Sequence, residues 1–439
     1  MIELDIYSEM CTMADSLLPE MTERRQDFHK YAETGWFEIR TTSIIADRLS
    51  KLGYDPIVGE RVCRKESRMG LPSDEELDKQ YERALSQGAI EPWADMAKGG
   101  FTGVIAELDC GEGPVIALRF DIDALGVYED ERETHRAVRE CFHSVNDGMM
   151  HACGHDGHAT IGLAVASVLM KFKDRFHGKI RLIFQPCEEG VRGAKSIVDN
   201  GWLSGVDYVI GNHMADYGDN PDCDIFLTTG STLATTKLDA FFSGLASHAG
   251  ASPEKGKNAM LAACSAVMNL QAIPRFSGTE TRINVGTLQA GSGRNVIPDR
   301  AKLELEVRGS TTEANDYMRE YAERIIRSSA EMHDCGCDIK MMGAAPCLIS
   351  DLSMIQRCKS VCEEKLNLKV APVSDRAGGS EDFAYMVLEV QKHGGAGLFF
   401  NTLTDTVGPN HSTVFDIQEK SFPAAVKTFC GLVFDIMGI

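Results

Sequence analysis

Apolar residues return every three to four positions over residues 13–31 and 38–52, a period that predicts two amphipathic helices near the start of the chain. Between them ETGW interrupts the pattern and predicts a turn. Residues 61–97 are polar, and within them SRMGLPSDEELDKQYERALSQG joins a Ser-Asp capping start to a run of helix formers. This segment is expected to be an excursion from the main fold. The pattern then changes period. FTGVIAELD and GPVIALRFDID are strand-like runs joined by a Gly-rich turn. GKIRLIFQP and DYVIGNHM are continuous apolar runs of the kind buried on both faces, with a helical stretch between them. Strands alternating with helices predict an α/β core with helices on both sides of a sheet. Such sheets carry their chemistry on loops at strand ends.

Over residues 233–346 the order is strand (TTKLDAFFSG), helix (NAMLAACSAVMNLQAI), two strands (TRINVGTLQ and AKLELEVRG), helix (EANDYMREYAERIIRSSAEM) and strand (CDIKMM). That βαββαβ order is the ferredoxin-like split arrangement of a small two-layer domain. It reads as an insertion into a larger domain built from residues 1–232 and 347–439. The chain ends in an apolar helix around AAVKTFCGLVFDIM.

Composition narrows the function. A chain of 439 residues exceeds one ordinary core, which agrees with two domains. The 65 acidic against 45 basic residues leave a net charge of -20, which repels nucleic acid and anionic membrane surfaces. No apolar run reaches the roughly 20 residues of a membrane span. Fourteen irregularly spaced cysteines and an acidic start, MIELDIYSEM, point to reduced thiols in the cytoplasm.

Candidate chemistry concentrates in MMHACGHDGHAT, residues 149–160. Cys153 and His155, two apart on a loop leaving a strand, can face one cavity, and a thiolate with an imidazole suits a divalent transition metal. The strand IRLIFQPCEEG ends in Glu188 and Glu189, and VIGNHM ends in His213. Three polar endings to buried apolar runs argue for a shared site. Adjacent glutamates suggest a division of labour, one on metal and one free to move protons. Asp156 reads as a partner that orients an imidazole, and His151 and His158 as structural or supporting groups.

The ordered set MHACGHDGH, QPCEEG, GNH, SHAGASPEKGKNAM, GSGRNVIPDRAKLELEVRG, GGSEDFAY and GPNHS resembles the aminoacylase and carboxypeptidase-G group of dinuclear metallo-amidohydrolases, in particular its cysteine-containing branch that cleaves aminoacyl conjugates. The likeness runs over nearly the whole chain. It implies an α/β mixed-sheet metallopeptidase domain with the βαββαβ insertion serving dimerisation. It implies two divalent ions, Mn2+ or Zn2+, held by Cys153, His155, Glu189, His213 and His411, with Glu188 as general base. It further implies that His248 steadies the oxyanion, often in the partner's site. Arg294, Asn295 and Arg308 are substrate-binding candidates, Arg308 with the alternative of bracing its domain through a buried ion pair. The expected substrate is an N-acyl or N-aroyl amino acid, specifically p-aminobenzoyl-glutamate, cleaved to p-aminobenzoate and glutamate in folate breakdown. A broader aminoacylase, hippurate or auxin-conjugate hydrolase is the alternative enzyme, and a catalytically silent metal-binding regulator the alternative of another class. The expected assembly is a homodimer; a heteromer with a related chain is the other arrangement.

Overall fold

The computed structural model describes residues 2–375 and 378–439. Along the chain the strands are β1 (Val104–Asp109), β2 (Val115–Asp121), β3 (Lys179–Gln185), β4 (Tyr208–Asp216), β5 (Ile225–Phe226), β6 (Ala234–Ser243), β7 (Thr281–Ala290), β8 (Arg300–Gly309), β9 (Gly336–Ala345) and β10 (Ala396–Thr404). Six of them form one sheet in the order β1-β3-β2-β4-β10-β5. Its centre is parallel from β3 to β10, and the edge strands β1 and β5 run antiparallel. The two strands flanking the Gly-rich turn are therefore not a hairpin: β3 lies between β1 and β2.

Both faces of this sheet are covered, which explains the continuous apolar runs. Ile116, Leu118 and Phe120 of β2 join Ile180, Leu182 and Phe184 of β3 in one core, under the helices His155–Lys171 and Phe422–Met437. Ala117 and Ile183 point the other way, into a second core with Trp36, Phe383 and Val387. The apolar N-terminal pattern is three helices, Ile2–Ser16, Leu18–Lys30 and Ile39–Leu52, and the ETGW turn carries Trp36 at a φ of 70°.

The polar segment 61–97 is packed in, contrary to the expected excursion. Its helix Asp74–Ser86, capped by the Ser73 hydroxyl accepting from the Glu76 amide, buries Leu77, Tyr81 and Ala84. Trp36 Nε1 donates to the Met69 carbonyl at 2.8 Å, tying the segment to the ETGW turn.

Residues 234–345 form a separate four-stranded antiparallel sheet in the order β7-β8-β6-β9. Helices Ala259–Leu270 and Thr312–Met332 cover one face over their own core of Leu238, Phe242, Leu303, Met318 and Ile326. The opposite face is polar. Among the described residues, no helix is long and apolar enough to cross a membrane.

Candidate metal centre

The site forms where the parallel strands of the large sheet end, the position at which diverging loops leave a crevice. Cys153 and His155 straddle Gly154, whose φ of 89° is left-handed. Glycine takes that conformation without cost, and it turns the chain directly into the helix His155–Lys171. Beyond β3, Cys187, Gly190 and Val191 also have positive φ, so the loop holding Glu188 and Glu189 is sharply folded, at a strain cost for its two non-glycine members. His213 lies inside β4 and not at its end, because the strand continues to Asp216. His411 comes from the loop after β10, where its amide donates to the Ala152 carbonyl at 2.7 Å and so fastens it to the Cys153 loop.

These elements bring all five expected ligands together. Cys153 Sγ is 3.4 Å from His213 Nε2. His155 Nε2 is 3.9 Å from both Glu188 Oε2 and Glu189 Oε1, and His411 Nε2 is 3.5 Å from Glu189 Oε1. The donors fall into overlapping groups, Cys153-His155-His213, Cys153-Glu189-His411 and His155-Glu188-Glu189. His155 Nε2 and Glu189 Oε1 are buried without any hydrogen-bond partner. A buried unpaired nitrogen and oxygen aimed at one another's surroundings are costly unless something positive sits between them. Sulfur, nitrogen and carboxylate donors of this kind fit divalent transition metals.

The supporting hydrogen bonds fix which atoms face inward. His213 Nδ1 donates to the Met214 carbonyl at 2.6 Å, leaving Nε2 free as a ligand. Asp123 does three things at once. Its Oδ1 sits 3.3 Å from His155 Nδ1, and its two oxygens accept from the Glu188 and Glu189 amides at 3.0 and 2.9 Å. RFDID was visible as a polar strand ending, yet nothing in the sequence gave Asp123 this role. His158 spends both ring nitrogens on structure, with Nδ1 at 2.5 Å from Asp121 and Nε2 accepting from the Met214 amide.

Asp156 departs from expectation. Its Oδ2 forms an ion pair with Arg25, 2.9 Å from Nε, and accepts from His29 Nδ1 at 2.7 Å, so the imidazole it orients belongs to a buried ion network beside the site and not to the candidate donor ring. His151 is buried nearby, with neither ring nitrogen bonded.

The GGSEDF element acquires definite roles. Arg119, fully buried, donates to Asp121 at 2.6 Å, to Gln185 at 2.8 Å and to Glu381 at 2.9 Å. Asp382 accepts from the Gly193 and Ala194 amides at 3.0 and 2.9 Å, which pins the start of the helix Ala194–Asp199 behind the glutamate loop. Glu381 also approaches Glu188.

Electrostatics follow from burial and crowding. Burial, then Glu381 and Glu189, hold the Glu188 carboxyl well above its usual range. Burial raises Glu189 to about 7 against the pull of His155. The Cys153 thiol is pushed up by burial and then by Glu189, a cost that a divalent cation in the ring would reverse. Burial and then His158 lower His213 to about 3, which keeps it neutral and able to ligate. Burial, His155 and Lys237 lower His411.

The ring opens into a cleft of about 480 Å³ lined on the catalytic side by Cys153, Glu188, Glu189, His213 and His411 and across it by Thr235, Lys237 and Arg308. Arg308 donates to Glu306 of its own strand through bonds of 3.0 and 3.1 Å, an ion pair about a third exposed and not the buried one of the bracing alternative. His248, Arg294 and Asn295 are not in this cleft. All three are exposed on the four-stranded domain, where the Ala249 amide donates to the Asn295 carbonyl. The His248 Nδ1 accepts from the Gly250 and Ala251 amides at 3.1 Å, which leaves the proton on Nε2.

The profile of peptidase family M20/M25/M40 matches residues 117–435. An indole-3-acetyl-aspartic acid hydrolase of Enterobacter agglomerans is 43% identical over 94% of each chain. One of the subunits of the p-aminobenzoyl-glutamate hydrolase of Escherichia coli is 42% identical over 94% of this chain and 95% of that one. The crystal structure of an aminobenzoyl-glutamate utilization protein from Klebsiella pneumoniae superposes with a TM-score of 0.81 at 36% identity, covering 96% of this chain and 97% of that one. A ring of S, N and O donors around a buried carboxyl is the equipment of a hydrolase of amide bonds, and the chain belongs to peptidase family M20/M25/M40.

Proposed function

We propose that this amide hydrolase cleaves p-aminobenzoyl-glutamate to p-aminobenzoate and glutamate. The observation that carries the reading is Glu188, a buried carboxyl with its pKa held high, set against unpaired ligand atoms at the mouth of a small-molecule cleft. Such a buried carboxyl, its pKa raised above the usual carboxylate range, is suited to accept a proton and return it. In the assigned mechanism water adds to the amide carbonyl carbon, and Glu188 takes the water proton as the C–O bond forms. Glu188 then delivers that proton to the amide nitrogen, the C–N bond breaks, and glutamate leaves as the amine.

Two divalent cations, manganese or zinc, held by Cys153, His155, Glu189, His213 and His411, would supply Lewis acidity to the carbonyl and the water. Asp123 keeps both glutamates and His155 in register. His248 is assigned to the oxyanion of a second copy's site, because the residue is exposed and does not line the cleft beside the donor ring of its own chain. Arg294 and Asn295 stand with it, toward the substrate. A homodimer through the four-stranded domain satisfies this; the Escherichia coli relative, itself one chain of a multi-chain hydrolase, also makes a heteromer with a related chain a reasonable arrangement. Fourteen free thiols favour the cytoplasm.

The relative acting on an indole-3-acetyl conjugate supports a second reading with the same chemistry and a different acyl group. Purified protein loaded with manganese or zinc should release p-aminobenzoate and glutamate, and a chelator should abolish it. Release from indole-3-acetyl-aspartate alone would give the second reading; release from neither with full metal content would overturn both.

A further inference from the structure

The cleft has two walls of opposite charge. Its metal wall carries Glu188, Glu189 and Glu381, and among the described lining residues the cations, Lys237 and Arg308, both stand on the inserted domain. On that domain the register of β6 against β8 pairs Lys237 with Glu306 and Thr235 with Arg308. Cross-strand partners share a face, so Lys237, Glu306 and Arg308 form one cluster on the polar side of the sheet. Glu306 gives both of its oxygens to Arg308. Lys237 Nζ remains 3.9 Å from Glu306, beyond hydrogen-bond reach, with its side chain about a third exposed. Lys237 borders the cleft and Glu306 does not. The cluster keeps one net positive charge, presented on the cleft side by a flexible four-carbon arm, in a chain whose overall charge is -20.

Resting on the amidohydrolase reading above, we propose that Lys237 is a specificity-determining residue that pairs with the side-chain carboxylate of an acidic amino acid in the substrate. A free carboxylate fits where the other charges of the cluster cancel, and the ammonium supplies up to three donors to it. Both enzyme relatives act on conjugates of dicarboxylic amino acids, aspartate in one and glutamate in the other. They differ in the acyl group, so the shared feature is the one Lys237 would read.

The test compares N-benzoylglutamate with N-benzoylglutamine, an isostere whose side chain alone is neutral, in the metal-loaded wild type, Lys237→Met and Lys237→Arg. For Lys237→Met we expect kcat/KM on the glutamate conjugate to fall about 10- to 100-fold, mainly through KM, the range of a lost hydrogen-bonded charge. The glutamine conjugate should change less than about threefold on the same scale, and Lys237→Arg should retain most of the preference. Calorimetric binding of L-glutamate against L-glutamine to the same three proteins reads the pocket without turnover. An equal fall on both conjugates would overturn the assignment, since both keep the α-carboxylate. Unchanged preference in Lys237→Met would overturn it while leaving the hydrolase reading intact. Glutamate binding that depends on Lys237 without any conjugate cleavage would support the pocket and refute the hydrolase reading.

Discussion

The two sheets of this chain treat charge in opposite ways. Around the six-stranded sheet, Arg25, His29, Arg119, Asp121, Asp123, His155, Asp156, Glu188 and Asp382 are all buried. In the four-stranded domain Asp239 is the one charged side chain buried among the described residues, and the remaining charges of β6 and β8 are exposed or partly exposed. Burying charge is expensive unless each group is paired and bonded, and here the pairing leaves the proposed ligand atoms aimed before any substrate arrives. The polar face of the four-stranded sheet pairs Arg308 with Glu306 and Lys302 with Asp239 but leaves its cations about a third exposed, as a surface must if it is to meet a ligand or another chain. One region is built for preorganisation and the other for recognition.

Removing the proton carrier tests the first half of that contrast most severely. Glu188→Gln should lower kcat by about 10²- to 10⁴-fold, the range of general acid–base catalysis. Metal content by elemental analysis should stay at the wild-type value, because Glu188 is not in the assigned ligand set. Retained activity would remove Glu188 as the base.

His248→Ala tests the recognition half. An oxyanion donor contributes about 10²- to 10³-fold to kcat, and an exposed side chain bonded only to its own loop contributes little to stability. Activity should therefore collapse with the unfolding midpoint unchanged. Mixing His248→Ala with Glu188→Gln should restore part of the rate if the residue serves a second copy's site. No recovery on mixing would return His248 to its own chain.

Asp123→Asn probes how finely the buried wall is set. The residue touches no substrate in this arrangement, yet it holds His155 and both glutamate amides. Loss of such a partner typically costs about 10- to 100-fold in metal affinity or activity. Competitive chelation should show the weakened metal, and excess metal should rescue part of the rate.

Asp123 also marks where sequence reasoning stops. The loop pair Cys153 and His155 and the strand endings Glu188, Glu189 and His213 stood out in the sequence, the full donor set with His411 followed only from the family resemblance, and β6 to β9 were legible because alternation and helix period change cleanly. What a carboxylate holds was not legible. Asp156 lies inside the MHACGHDGH motif and Asp123 well before it, yet the three-dimensional path decides that Asp123 orients His155 of the motif and Asp156 orients His29 outside it. Segment 61–97 was misjudged for a related reason: its buried Leu77, Tyr81 and Ala84 are few among many charges, and their partners are distant in sequence. Lys237 carried no signal, because a lysine in an alternating strand is ordinary until the opposite wall of the cleft is known.

The mildest consequence of the contrast is a pH dependence confined to one region. His29 is fully buried between Asp156 at 2.7 Å and Glu129 at 2.9 Å, with Arg25, His135 and an unbonded His151 completing its charged and titratable surroundings. Burial opposes charging His29, and Arg25 adds to that, but the hydrogen bonds to Asp156 and Glu129 prevail and raise its pKa to about 9. The unfolded value is near 6.5, so the stabilisation is complete below about pH 6.5 and is lost as pH rises through about 9, at most about 3 kcal/mol. In a chain this long that moves a melting midpoint by only a few degrees. Calorimetry from pH 6.5 to 9.5 should show the decline in the transition of the six-stranded region, and His29→Gln should flatten it. A decline that persists in His29→Gln, or that appears in the four-stranded domain, would mean that buried charge does not divide the two regions as their packing implies.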